Sequence, residues 1–338
     1  MSSTGMQPSP SHDAGVVIRN VLVPLDGTPQ AGAALPLART LARLSGANVF
    51  LVRVVPEPAA LGGRHPVDAD EALAALGRTR DELAASGLHV EVQLRRGEVA
   101  EQLVQAVGDH RADLVAMATH GRQGLARAIL GSVASQVVVH GTTPVVLLRP
   151  GGKRVSQLRR LLVPVDGSPG GALGLAAAAG LARAAQARLI LLIVAPRIPE
   201  YAYALASATP GSVSLDPSWE RDGLCAAQTY VDGLSDRLRR HGLEVEGRAR
   251  LGEPATTIID MARDVDADLV VMSTHARTGL ARAVLGSVTD RVVSSADRPV
   301  MVIPHRVVPH GGGSAPGAPH NQASGHSSSS LGGAALQV

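Results

Sequence analysis

The chain says one thing twice. VLVPLDGTP at 21–29 returns as LLVPVDGSP at 161–169, an offset of 140 residues. Further along, ADLV at 112–115 returns at 267–270, THGRQGLAR at 119–127 returns as THARTGLAR at 274–282, and LGSV at 130–133 returns at 285–288. These later pairs are 155 residues apart, so the second copy carries an insertion. It falls in PRIPEYAYALASATPGSVSLDPSWE at 196–220, which holds Tyr201, Tyr203 and Trp219, three of the five aromatic residues in the chain. Two copies are too few for a solenoid, so the repeat is a tandem pair of like domains. The fold must be one that about 140 residues complete.

Within each copy, short apolar runs alternate with longer segments of helical periodicity. That is the pattern of βαβ units and of a parallel sheet covered on both faces. In the first copy the strands are expected at 20–25, 48–54, 89–94, 114–118 and 144–148. One helix is expected over 29–44 and another over 69–85, with Gly87 as its stop. A further helix starts at Gly131–Ser132 and ends before Gly141, with Ser132 as its N-cap. The Ala-rich stretch 172–185 reads as a buried amphipathic helix. Residues 1–17 and 306–338 are rich in Gly, Ser, Pro and Ala and are expected to be solvated tails.

Composition excludes several classes. With 45% hydrophobic and 18% charged residues in 338, the chain is not mainly disordered. A net charge of +3 and five aromatics leave little from which to build a nucleic-acid surface or a base-stacking platform. The lone Cys225 excludes an internal disulfide and a Cys-rich zinc site, and in its helical stretch it reads as a small buried residue. The apolar runs are too short to span a bilayer, and the first residues lack the pattern of a secretory signal, so a cytoplasmic location is expected.

Open parallel sheets take ligands at the carboxyl ends of their strands, where the strand order reverses. Two features land there. Asp26–Gly27, and its twin Asp166–Gly167, follow the first strand of each copy. The acid either caps the next helix or orients a ribose, an adenine or a phosphate-bound metal. After the fourth strand, Gly121 allows close backbone approach, and Gly131–Ser132 presents free amides at a helix start, which favours an anion. His120 and His275 read as residues at strand ends rather than catalytic ones, and Arg122, Arg127, Arg277 and Arg282 as solvated. His305, His310, His320 and His326 are too irregularly spaced to argue a metal site.

These repeated VP-x-DG, TH-x-R-x-GLAR and LGSV elements resemble the universal stress protein family, whose signature after the fourth strand is Gly-x2-Gly-x9-Gly-(Ser/Thr). The resemblance covers 18–152 and 158–305, leaving 153–157 as a linker. It implies two tandem doubly wound α/β domains, each a five-stranded parallel sheet of order 3-2-1-4-5 with helices on both faces. It implies ATP, with or without Mg2+, held in the first domain by Pro24, Asp26, Val54, Met117, Gly121, Gly131, Ser132 and Val133. The corresponding residues of the second domain are Pro164, Asp166, Val194, Met272, Gly286, Ser287 and Val288. The first signature glycine is replaced by Ala118, and in the second copy the early positions read Ser273 and Ala276, so both early glycines are gone there.

The resemblance implies a nucleotide-dependent regulatory module in stress resistance, with no dedicated catalysis. The chain has no GxxxxGK[ST] loop and no kinase HRD or DFG set. A weak ATPase and a dimerisation scaffold that binds no nucleotide stand as alternatives. The fifth strands, at 144–148 and 298–303, are expected at sheet edges, where they invite pairing of the two copies and of two chains as a homodimer. The 196–220 insertion reads as a lid or an interface strip.

Overall fold

In the computed structural model the described residues are 17–57, 68–119, 131–197, 218–274 and 285–304. The first half runs β1 (Asn20–Pro24), α1 (Pro29–Gly32), α2 (Leu35–Ser45), β2 (Asn48–Val55), α3 (Ala69–Ala84), β3 (Val90–Arg96), α4 (Val99–Asp109), β4 (Leu114–Ala118), α5 (Ser132–His140) and β5 (Val145–Leu148). The second half repeats it as β6 (Arg160–Pro164), α6 (Pro169–Ala185), β7 (Arg188–Ala195), α7 (Ser218–Arg240), β8 (Val245–Leu251), α8 (Pro254–Asp264), β9 (Leu269–Ser273), α9 (Ser287–Ser295) and β10 (Val300–Ile303).

The strands of the described residues join one sheet in the order β3-β2-β1-β4-β5-β10-β9-β6-β7-β8. Each half has the internal order 3-2-1-4-5, and every pairing is parallel except that of β5 with β10. The fifth strand is the outer strand of each half, and the two pair with each other as expected: Val145, Val146 and Leu147 lie antiparallel to Val302, Met301 and Val300, so within the joined sheet neither is left open. The outer edges are β3 and β8, whose charged residues, Glu91, Arg95 and Arg96 on one and Glu246, Arg248 and Arg250 on the other, discourage further strand addition. Because β5 and β10 run in opposite directions, the carboxyl ends of the two halves point to opposite ends of the sheet.

The central strands are apolar on both faces, as a covered parallel sheet requires. Val21, Val23, Leu161 and Val163 enter one core with residues of α2, α3, α6 and α7, while Leu22 and Leu162 enter the other with residues of α4, α5, α8 and α9. Both cores run unbroken across the β5–β10 seam.

Two helices differ from the sequence reading. The helix expected over 29–44 is broken into α1 and α2, because Pro36 lacks the N–H that would bond to the Gly32 carbonyl and its ring crowds that group. The second copy has Ala176 at the matching position, and α6 is continuous. Cys225 is exposed rather than buried: the inward stripe of α7 is Ala227, Val231, Leu234, Ser235 and Leu238, and Cys225 lies about 200° around the helix from Ala227. Among the described residues, no helix is long and apolar enough to cross a membrane.

The halves also diverge beneath the sheet. His110 stacks on Phe50 with ring centroids 4.3 Å apart, and its Nε2 meets Gln93 Oε1 at 2.9 Å. In the second copy the matching pair is Val265 and Ile190. Burial, helped by the Arg95 charge, pushes the His110 pKa below its ordinary value, against the opposing pull of Glu91 and Asp109. The folded state thus prefers neutral imidazole, while the unfolded chain takes up a proton as pH falls through about 6.5. Stability contributed by neutral His110 is present above that pH and is lost below it. Urea titrations at pH 7 and pH 5 are expected to show a smaller acid loss for His110→Val than for wild type; equal losses would contradict the assignment.

Candidate functional site

At the end of β1 the chain turns through Gly27, whose φ of +87° is a conformation that favours glycine. Asp26 does not cap the next helix itself. Its Oδ1 accepts from the backbone N–H of Thr28 at 2.8 Å and from the Thr28 hydroxyl at 2.6 Å, and Thr28 is the N-cap, accepting from Ala31 N–H at 3.2 Å. The second copy repeats this with Asp166, Ser168 and Gly171 at 3.0, 2.7 and 3.0 Å, and Gly167 at φ +75°. The aspartate is thus a fixed carboxylate behind a capped helix start, exposed at the strand end.

Across the switch point, β4 lies beside β1, and α5 is the next described element after β4. Here the N-cap is Gly131 rather than Ser132. Gly131 takes φ −56° and ψ 146°, its carbonyl accepts Ser135 N–H at 2.8 Å, and Ser132 becomes the exposed first residue of the helix. Gly286 and Ser287 do the same for α9. Among the described residues no side chain caps either helix, which leaves first-turn amides available to an anion. In the second half the Thr289 hydroxyl donates to the Ser273 carbonyl at 3.3 Å, tying the start of α9 to the end of β9.

The apolar site residues belong to one core cluster. Met117 is buried, and Val54 and Val133 pack partly buried on the same cluster; Met272, Val194 and Val288 repeat the arrangement. Pro24 and Pro164 end β1 and β6, each partly buried. Gly121, His120, Arg122, Arg127, His275, Ala276, Arg277 and Arg282 lie outside the described residues, as do the four tail histidines.

The two turns are covered differently. A β-carbon on Gly27 would stand 2.8 Å from the Arg53 guanidinium, whereas one on Gly167 would face the Tyr230 hydroxyl at 3.7 Å. Isoleucine replaces Arg53 in the second copy, at Ile193. There too α6 sits tight on β9, since a β-carbon on Gly174 would approach Ser273 N to 3.3 Å. Most of the insertion, Tyr201 and Tyr203 included, is outside the described residues, while Trp219 is exposed on the first turn of α7.

One repeated motif has a role the sequence reading did not assign. In ADLV, Asp113 Oδ2 accepts the N–H groups of Arg19 and Asn20 at 2.8 and 3.0 Å, and Asp268 Oδ2 those of Arg159 and Arg160 at 2.8 and 3.0 Å. The aspartate pins the start of the first strand of each half. An acid beginning an apolar strand was the available signal. Among the described residues, no three His, Cys, Asp or Glu gather into a metal-binding group.

This duplicated geometry has a counterpart in known proteins. The universal stress protein family model matches residues 18–149 and again 157–304. The chain belongs to that family. A universal stress protein of Mycolicibacterium smegmatis is 26% identical over 304 residues, covering 84% of this chain and 96% of its own length. A Thermus aquaticus universal stress protein is 31% identical over 137 residues, which is 39% of this chain and all of the relative. Among solved structures, a universal stress protein from Archaeoglobus fulgidus aligns with a TM-score of 0.61 at 18% identity, over 85% of this chain and 98% of its own. The double family match fits the repeat, and the likeness to the solved structure supports the doubly wound fold.

Proposed function

We propose that this universal stress protein binds ATP at the switch point of its first half and acts as a nucleotide-dependent regulatory module in stress resistance, without dedicated catalysis. The observation that carries this reading is the placement, after two adjacent strands of one copy, of two elements that the other copy repeats: the Asp26–Gly27–Thr28 turn after β1 and the open helix start at Gly131–Ser132 beyond β4. Val54, Met117 and Val133 supply an apolar wall for a base, and the first-turn amides of α5 suit phosphate. Asp26 is the carboxylate among these residues, so a magnesium ion would be held chiefly by the phosphates. The second half keeps the same frame in Pro164, Asp166, Val194, Met272, Gly286, Ser287 and Val288, with the turn under Tyr230 and without the early signature glycines. We place ATP first in the first half for that reason. The fifth strands already pair within the chain, so a homodimer would use another surface.

The test is the ATP content and affinity of the purified chain against Gly131→Asp. Gly131 has an extended φ and ψ that aspartate adopts freely, and aspartate is a favoured N-cap, so the variant is expected to fold as well as wild type. Its carboxylate would face the phosphates, where like charges cost several kcal/mol, and ATP affinity is expected to fall by roughly 100-fold. Equal affinities, or no binding by wild type at millimolar ATP, would overturn the reading.

A further inference from the structure

A concave site is lined by none of the strand-end residues. It is a groove of about 570 Å³ bounded by α2 of the first half, the segment leading into β6, and the last residues of α6. Its volume is in the range of small-molecule sites. Arg39, Arg43 and Arg159 line it, the other polar groups are neutral, and no carboxylate contributes. Leu44 and Leu158 supply apolar wall.

These three arginines are not among those that carry the ion pairs of the described residues. Arg95, Arg160, Arg188, Arg248 and Arg298 each pair with a carboxylate. Among the described residues, no ion pair is made by Arg39, Arg43 or Arg159. Arg39 and Arg43 are four residues apart on one helix face, where like charges repel. Arg43 gains from the negative end of α2, but Arg39, a turn earlier, does not. Arg159 is held in place by Gln157, whose Oε1 accepts from its Nε at 3.0 Å and its Nη2 at 2.6 Å. The end of α2 is closed, since Gly46 and Ala47 N–H both bond to the Ala42 carbonyl. Uncompensated guanidinium groups from both halves therefore share one concave surface.

We propose that this groove binds a small molecule carrying a diphosphate or longer phosphate chain. Guanidinium forks match phosphate oxygens bidentately, and a multiply charged chain can engage groups on α2 and before β6 together, which one carboxylate cannot. A ligand seated there bridges the two halves and stabilises their assembled form, because it binds only when both are in place.

The probe is inorganic tripolyphosphate, titrated calorimetrically into the full chain carrying Gly131→Asp and Gly286→Asp, so that the outcome does not depend on the strand-end sites. Saturable one-to-one binding is expected. It should weaken by about tenfold or more in Arg39→Gln/Arg43→Gln. The charge-matched control Arg237→Gln/Arg240→Gln, on the exposed side of α7, should leave it unchanged. A rise in thermal midpoint with tripolyphosphate should likewise vanish in the Arg39/Arg43 variant alone. Equal weakening in both double variants would reduce the effect to net charge and overturn the proposal, as would an absence of saturable binding at millimolar tripolyphosphate.

Discussion

Val146→Asp is expected to lower the thermal midpoint of the chain by roughly 10 °C or more, with both halves losing structure together. Val146 is fully buried at the centre of β5, between Ala116 of β4 and Met301 of β10. An aspartate there has no partner within the apolar core that both halves share, and it must be buried neutral or break the seam. Either costs on the order of 4–6 kcal/mol, a large part of the 5–15 kcal/mol that holds a typical domain. The seam cannot yield quietly, because parting β5 from β10 would expose two apolar edges at once. Circular dichroism melts, with limited proteolysis to report on each half, would measure the effect, and Val17→Asp at an exposed position is the matched control. A change of less than about 2 °C would mean that the seam does not hold the chain together.

Much of this architecture is legible in the sequence, and the exceptions have physical reasons. Repeat spacing and apolar runs locate the strands to within a residue or two because buried parallel strands leave no choice of face. The 3-2-1-4-5 order comes from family resemblance, not from periodicity. The break at Pro36 was readable, since a proline inside a helical pattern removes one bond, yet the strong Ala and Leu spacing around it masked the signal. Serine favours the cap position, yet at α5 Gly131 takes the cap conformation and Ser132 is the first helical residue. Cys225 needed the phase of α7, which its Ala227, Val231 and Leu234 stripe fixes only once the inward face is known. The strand-end site was legible as the twin Asp–Gly turns and Gly–Ser helix starts. Their divergence was not: Arg53 and Tyr230 are remote in sequence from the turns they cover. The arginine groove was hidden for the same reason, being assembled from α2 and the approach to β6.

Lys153 is the one lysine in a chain with 32 Lys and Arg together, and its replacement is expected to have the second large effect. It lies between the halves, four-fifths buried, with its Nζ 2.7 Å from Asp266 Oδ1, 2.8 Å from Asp268 Oδ1, and 3.0 and 3.3 Å from the carbonyls of Asp266 and Ala267. The Lys153 ammonium, ahead of the Arg160 and Arg298 charges, holds the Asp266 carboxyl below its ordinary range. Asp266 is half exposed and keeps both arginines, so it loses little. Asp268 is different: it is nearly buried, its other oxygen pins the start of β6, and Lys153 is its ion-pair partner. Lys153→Met keeps the stem and removes the charge, leaving that carboxylate and the Ala267 carbonyl without the ammonium. A loss of about 2–4 kcal/mol is expected, less than for a pair wholly removed from water. Lys153→Arg is the sharper comparison. A compact ammonium can point its donors at convergent oxygens, and a planar guanidinium cannot, so arginine should recover less than half of the loss despite its charge. Because the lysine ties the segment before β6 to the base of β9, the variants should also be cut faster by protease between the halves. Full recovery by arginine would show that charge alone matters here, and an unchanged urea midpoint for Lys153→Met would show that the clamp does not hold the linker.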